Sequence, residues 1–192
     1  DKLSAVFGEG AEFLYWQVFT GTPDAVLPTC DAQLAAHPLP LDWTLRSFTH
    51  PSNNIIAEAQ RLNLETGIAA LPTYYMRGEI MPSILTCIIA ETGVMQVCAT
   101  GNMRYHSDSK LANWMFAGTV SVHPSQRRRG LGKFVNAALL RDSQAAFGWT
   151  TVLEQAKEEN FASVGMITKC GLTAVPDAVT IAVHLTGGYV SR

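Results

Sequence analysis

The sequence predicts a mixed α/β fold built around one central sheet. Two apolar runs, residues 84–90 and 94–99, are joined by a turn that ends at Gly93, and this pattern predicts an antiparallel hairpin. Farther along, residues 114–185 alternate between strand-like and helix-like patterns in the order strand, helix, strand, helix, strand. Such alternation is typical of a sheet covered by helices, so an all-helical or all-β fold is disfavoured.

The composition bounds the class of protein. The chain has 192 residues, of which 47% are hydrophobic and 16% are charged, a balance that favours a compact globule over a disordered chain. Its formal net charge of -2 gives it no general attraction to nucleic acid or to anionic lipid. No apolar run approaches the roughly 18 residues of a membrane span, and the first residues do not begin a secretory signal. We therefore expect a cytoplasmic protein without a membrane partner.

The first 40 residues are predicted to be an N-terminal extension, and residues 41–192 are predicted to be the main domain. Glycine and proline in the extension prevent an assignment of its helices and strands. Because the sequence begins at Asp1 and not at a methionine, we expect further residues before it. The aromatic residues expected to pack the extension on the domain are Phe13, Tyr15, Trp16 and Phe19.

Helices are predicted at three places. Asn53 is a candidate N-cap for an amphipathic helix. Apolar residues recur at helical spacing from Leu131, and Gly148 supplies a C-terminal stop. Asn160 opens a shorter helix. The strands expected in this half of the chain are residues 114–122, 150–153 and 179–185.

The four cysteines do not form a metal-binding or redox motif. They are scattered, with no C-x-x-C pair, and no metal ion is expected. Cys87 and Cys98 fall on neighbouring predicted strands, where they would be either a facing pair able to form a disulfide or two free core thiols. Free, reduced thiols are the favoured interpretation, also for Cys30 and Cys170.

The segment after the central predicted strand combines glycine with clustered positive charge. A strand that runs into such a loop and then into a helix leaves backbone N–H groups unpaired at the positive end of the helix dipole. Gly130 and Gly132 let an anion approach the backbone closely, so the segment is predicted to hold a ligand with several phosphate charges. The charged residues of this segment are Arg127, Arg128, Arg129 and Lys133.

The spacing within this segment indicates a family. The nucleotide-binding patterns G-x-x-x-x-G-K-[ST] and G-x-G-x-x-G are both absent. Residues 122–132 read VHPSQRRRGLG, which resembles the V-x-P-x-x-R-x-x-G-x-G signature of the GNAT superfamily of acyl-CoA-dependent N-acyltransferases. Residues 160–172 read NFASVGMITKCGL, which is similar to the family's N-x-x-A-x-x-x-Y-x-K-x-G-F segment. With the strands before them, the two blocks extend the resemblance over residues 80–185.

The resemblance implies a mixed, mostly antiparallel sheet with helices on both faces and a splayed pair of parallel strands that holds acetyl-CoA. Backbone groups of Val120 and Val122 would pair with the pantetheine arm, and an N–H near Val122 would face the developing oxyanion. Asn160 would contact the arm from the neighbouring strand end. The pyrophosphate would lie on the loop formed by Arg127, Arg128, Arg129, Gly130, Leu131, Gly132 and Lys133.

The catalytic side chains are less clearly marked than the cofactor site. An amine must lose a proton when it attacks a thioester, and the family often uses a glutamate to accept it. The central strand has no acidic residue, so Glu154, at the end of the next predicted strand, is the candidate; the alternative is a surface glutamate. Ile167 occupies the position of the family's proton-donating tyrosine. Tyr74, Tyr75 or Ser163 could replace it, and a thiol can also leave without an acid.

The sequence predicts an N-acetyltransferase that moves an acetyl group from acetyl-CoA to a primary amine of a small molecule or peptide. The alternative is a catalytically degenerate domain that binds acyl-CoA as a sensor or structural unit. Nucleic-acid binding through the arginines is disfavoured by the net charge and by the lack of interleaved aromatic residues. The oligomeric state is left open between a monomer and a homodimer.

Overall fold

A computed structural model describes residues 2–8 and 10–185, in which one sheet has helices on both faces. The strands are β1 (Ala11–Gly21), β2 (Thr44–Phe48), β3 (Ser83–Ile89), β4 (Met95–Asn102), β5 (Trp114–Val122), β6 (Thr151–Ala156) and β7 (Thr173–Leu185). The helices are α1 (Lys2–Phe7), α2 (Pro23–Ala36), α3 (Asn53–Glu65), α4 (Thr73–Met76), α5 (Leu131–Phe147) and α6 (Phe161–Lys169). The strand order is β2-β3-β4-β5-β6-β1-β7, and only the β5–β6 pair is parallel among the pairs described. The predicted fold class is therefore confirmed.

The two faces of the sheet carry separate hydrophobic clusters. Because successive side chains of a strand point to opposite faces, Ile88 packs toward α2, α5 and α6, whereas its neighbour Cys87 packs toward α3 and α4. We call these the α5 face and the α3 face. The larger cluster lies on the α5 face, where Val135, Leu139 and Leu140 of α5 are fully buried.

Helix α5 begins and ends where the sequence predicts. It starts after Gly130 and stops at Gly148, whose φ of 61° is left-handed and whose N–H donates to Gln144 O at 2.8 Å. Its apolar stripe packs on β3, β4 and β5, which positions its N-terminus at the end of β5. In the part of the chain that the structure describes, no helix combines the length and the apolar character needed to cross a bilayer.

The N-terminal region contributes a strand inside the sheet. β1 lies between β6 and β7, so that Gln17 pairs with Ala156 on one side and with Val179 on the other. Phe19 of β1 is buried in the larger core, and α2 packs on α5. The division of the chain at residue 40 stays a prediction, and residues 186–192 of the predicted main domain lie outside the described residues.

Two predicted boundaries in the sheet and helices were wrong. The N-cap of α3 is Ser52, whose hydroxyl accepts a hydrogen bond from Ile55 N at 3.5 Å, and Asn53 is the first helical residue. β6 continues to Ala156, because pairing with β1 extends the strand beyond Leu153. Glu154 therefore lies within a strand and not at its end.

The last strand begins earlier than the sequence predicts. β7 starts at Thr173, not at residue 179, and its register against β1 shifts between Gln17 and Phe19. At the shift, Pro176 has no N–H to donate and Asp177 has a φ of 60°. This irregularity interrupts the strand pattern and explains why the first half of β7 was not predicted.

The four cysteines are free and buried. Cys87 and Cys98 are directly opposite each other on β3 and β4, and burial raises the pKa of both thiols to about 12. The interpretation as free core thiols is confirmed. Within residues 2–8 and 10–185, no group of three or more His, Cys, Asp or Glu side chains is placed to hold a metal ion.

Candidate active site

Strands β5 and β6 separate after a short parallel ladder. Their pairing ends at Phe116 and Leu153, and within the described residues it does not resume. β5 continues to pair with β4 as far as Val122, and β6 continues to pair with β1 as far as Ala156. We call the gap between residues 117–122 of β5 and residues 154–156 of β6 the fork. The fork is the splayed pair of parallel strands that the family resemblance implies.

A β-bulge distorts β5 beside the fork. The register between β4 and β5 shifts between Cys98 and Thr100, and Thr119 on the opposite strand has a φ of 48°. The hydroxyl groups of Thr100 and Thr119 are hydrogen-bonded to each other across the bulge. A bulge bends a strand and redirects its backbone groups, so it widens the fork at this point. The bulge is not predicted from the sequence, in which Gly118 is the one local signal for it.

The end of β5 presents backbone groups to the fork. His123 N donates to Gln96 O on β4 at 2.9 Å, so the backbone groups of Val122 point to the other side, into the fork. Arg127 confirms this direction, because its Nε donates to Val122 O at 3.4 Å. Val120 lies within the bulge, so the direction of its backbone groups stays a prediction. Val120 and Val122 are the two residues predicted to pair with the pantetheine arm, and the structure gives this direction for Val122.

The basic loop, residues 126–133, surrounds a set of unpaired backbone N–H groups. In the described chain, the N–H groups from Arg128 to Lys133 donate to no protein acceptor, and Gly130 as N-cap offers no side-chain oxygen. Arg128 and Gly130 have φ values of 61° and 79°. Left-handed residues next to right-handed ones turn successive N–H groups inward into an anion-binding nest. The loop therefore combines free backbone donors with positive charge, and its role as a phosphate cradle stays a prediction.

Residues near the end of α2 form a second wall beside this loop. A Cβ on Gly130 would lie 3.2 Å from the His37 ring, and Lys133 Nζ donates to Gln33 Oε1 at 3.3 Å. The Arg129 guanidinium lies 5.7 Å from the centre of the Trp43 ring. This wall could not be predicted, because no local pattern in the sequence shows that α2 packs on α5 and ends at the basic loop.

Asn160 lies at the beginning of α6, just beyond the end of β6. Its Oδ1 accepts a hydrogen bond from Ser163 N at 3.1 Å, so Asn160 is the N-cap of α6. The residue is exposed. Its contact with a cofactor arm stays a prediction, and the cap is compatible with that role.

Glu154 lies in the interior and not on the surface. It is 1% exposed and shares the α5 face of β6 with Val152 and Ala156. Asn136 Nδ2 of α5 donates to its Oε1 at 2.9 Å. Burial raises the pKa of Glu154 to about 7, although the hydrogen bond from Asn136 lowers it. The alternative of a surface glutamate is wrong, and the role as general base stays a prediction.

The residues considered for the proton donor are dispersed. Ile167 is 1% exposed and packs in the larger core. Tyr74 is 48% exposed, and Ser163 is in the first turn of α6. The Tyr75 hydroxyl is on the α3 face, where it donates to Asn102 Oδ1 at 2.9 Å.

The sequence profile of the acetyltransferase (GNAT) family matches residues 58–172, more than half of the chain. The chain belongs to the GNAT acetyltransferase family. The matched range contains the fork, the basic loop and the block from residue 160 to residue 172, whereas the second wall near the end of α2 lies outside it. Family membership supports acyl transfer from an acyl-CoA.

Solved GNAT structures have the same fold. A tandem GNAT protein from the clavulanic acid biosynthesis pathway matches with a TM-score of 0.67 over 98% of this chain and 59% of its own, at 15% identity. A GCN5-related N-acetyltransferase from Kribbella flavida matches with a TM-score of 0.63 over 93% of this chain and 61% of its own, also at 15% identity. A GCN5-related N-acetyltransferase-like protein from Streptococcus suis matches with a TM-score of 0.62 over 97% of this chain and 67% of its own, again at 15% identity. The chain therefore spans only about three fifths of the length of the tandem GNAT protein and of the Kribbella flavida protein. No curated protein sequence matches it significantly.

Proposed function

We propose that the protein transfers an acetyl group from acetyl-CoA to a primary amine of a small molecule or peptide. The observation that carries the proposal is the unpaired N–H groups of the basic loop, which lie at the open end of the fork. A pyrophosphate needs several donors and positive charge, and a helix N-terminus beside three arginines provides both. The family assignment supplies the class of reaction.

The residues of the fork fit an extended cofactor arm. Val122 presents its backbone groups to the gap and Val120 is proposed to act with it, so an amide-containing chain can pair with β5 as an added strand. When bound, acetyl-CoA supplies a thioester whose carbon–sulfur bond is exchanged for a carbon–nitrogen bond to the amine, with the amine proton passing to the thiol. The Val122 N–H, on the fork side of β5, is proposed to face the negative charge that develops on the acetyl oxygen.

Glu154 is proposed as the general base because it is the one acidic residue on either strand of the fork. A pKa of about 7 suits proton transfer near neutral pH. Because the Glu154 carboxyl is 1% exposed, we propose that a water relay carries the proton from the amine to it. If Glu154 accepts the proton, E154Q lowers kcat by about 100-fold or more and removes the pH dependence near 7. An unchanged kcat would show that Glu154 is a core residue with no role in proton transfer.

A second candidate function is acyl-CoA binding without catalysis. The burial of Ile167 at the position of the family's tyrosine, together with the burial of Glu154, favours this alternative. The two functions separate in an assay of thiol release from acetyl-CoA with a panel of amines. Release that requires an amine supports the transferase, and tight CoA binding without amine-dependent release supports the binding domain.

The cradle is tested separately by CoA binding in a calorimeter. We expect R128E/R129E to weaken binding by more than about tenfold, since hydrogen bonds to charged groups contribute about 1.5 to 3 kcal/mol each. The matched control is R46E, which reverses an exposed arginine on the edge strand β2. Equal affinities for wild type and R128E/R129E, or an equal loss in R46E, would refute the assigned cradle.

A further inference from the structure

A guanidinium group is held at the closed end of the fork, on the α3 face. The Arg104 Cζ lies 3.5 Å from the centre of the Phe116 ring, and its Nε donates to Asn102 Oδ1 at 3.2 Å. Tyr75 of α4 donates to the same oxygen at 2.9 Å. Asn102 is 2% exposed, so a buried amide and an aromatic ring fix the direction of an exposed arginine.

No carboxylate of the described chain neutralises the charge of Arg104. Its guanidinium makes no ion pair with a carboxylate within 4.0 Å among residues 2–8 and 10–185, whereas Arg61, Arg77 and Arg141 each do. With Nε engaged by Asn102, the two terminal nitrogens remain available. Their planar geometry matches the two oxygens of a carboxylate.

The position of Arg104 relates it to the acceptor and not to the cofactor phosphates. Phe116 is the last residue of β5 that pairs with β6, so its ring marks the point at which the fork begins. The basic loop lies at the opposite, open end, at the N-terminus of α5. An arm that extends from the loop along β5 fills the fork itself. With the fork filled in this way, an amine can reach its closed end only from a face of the sheet, and Arg104 lies on the α3 face beside Asn102 and Phe116.

We propose that the acceptor is a small amine that also carries a carboxylate, and that Arg104 binds this carboxylate. The inference rests on the proposed acetyl transfer and specifies its substrate class. Asn102 and Tyr75 act as positioning residues, because they hold the guanidinium and do not themselves meet the acceptor. Phe116 provides the surface on which the guanidinium stacks.

The test compares acceptors that differ only at the carboxylate. Amino acids of increasing chain length between amine and carboxylate are paired with their primary amides, and kcat/KM is measured at saturating acetyl-CoA. Wild type is expected to favour the best acid over its amide by about tenfold to a hundredfold. In R104M, kcat/KM for the acid should fall while kcat/KM for the amide stays unchanged, so that the ratio comes close to one. R104K should give an intermediate ratio, and R46M should match wild type.

Binding provides an independent readout. The N-acetylated acid is titrated into the CoA-loaded protein by calorimetry, and we expect its affinity to fall about tenfold or more in R104M and to be unchanged in R46M. A wild-type ratio near one, or a ratio unchanged in R104M, would overturn the assignment of Arg104 while acetyl transfer stands. If no amine supports thiol release, the proposed function fails, and Arg104-dependent binding of the acid would still support the carboxylate site.

Discussion

Replacing Glu154 by glutamine should make the stability of the protein less dependent on pH. The Glu154 side chain is 1% exposed, and burial raises its pKa from an ordinary 4.5 to about 7. Each pKa unit corresponds to about 1.4 kcal/mol, so the difference amounts to about 3 kcal/mol. Below pH 4.5 the carboxyl is protonated in both the folded and unfolded states. As the pH rises from 4.5 to 7, only the unfolded state ionises, and the free energy of unfolding falls by that amount.

Glutamine keeps an oxygen that can accept the Asn136 hydrogen bond, and it does not ionise. We expect E154Q to equal wild type in stability near pH 4.5 and to exceed it by about 3 kcal/mol above pH 7. Urea unfolding followed by tryptophan fluorescence measures this, because Trp149 is fully buried. E158Q, which changes an exposed glutamate, is the control. A constant difference between E154Q and wild type across this pH range would refute the reasoning.

Two further substitutions test how the site is held. G171A should destabilise the fold by about 3 kcal/mol, because its backbone is left-handed and the new Cβ would lie 2.6 Å from a carbonyl oxygen of α2. The control is G67A, because Gly67 is also left-handed but a Cβ there would have no atom within 4 Å, so the free energy of unfolding should fall by only about 1 to 2 kcal/mol. Equal losses of stability for G171A and G67A in thermal or urea unfolding would contradict the close packing of α2 at Gly171. N160A should lower stability by about 1 kcal/mol and weaken CoA binding, whereas N160S should restore the cap. If N160S also restores full CoA affinity, the predicted contact of Asn160 with the cofactor is refuted.

Local features of the site could be predicted from the sequence. α5 is specified by its apolar repeat and by the left-handed Gly148, which are both properties of neighbouring residues. The basic loop follows from the spacing of Pro124, Arg127, Gly130 and Gly132, and the structure places it at the N-terminus of α5 as predicted. These features depend on short stretches of chain, in which propensity and turn chemistry dominate.

Features that depend on distant pairing could not be predicted. Glu154 was expected at a strand end, but β1 pairs with β6 and extends the strand, which turns the carboxyl into the core. His37 comes close to Gly130 because α2 crosses the start of α5. Arg104 belongs to a loop without a recognisable pattern, and it gains its direction from Phe116 on another strand.

The sequence alone determined the class of fold, through the local apolar patterns of successive segments, and the family resemblance and the basic loop, through the spacing within two short blocks. Only the tertiary structure decided that the N-terminal strand lies inside the sheet, that Glu154 is buried and that Arg104 is placed at the closed end of the fork. These arrangements arise from contacts between segments far apart in the chain. Their stability depends on the burial and hydrogen bonding of the whole fold, which no short stretch of sequence records.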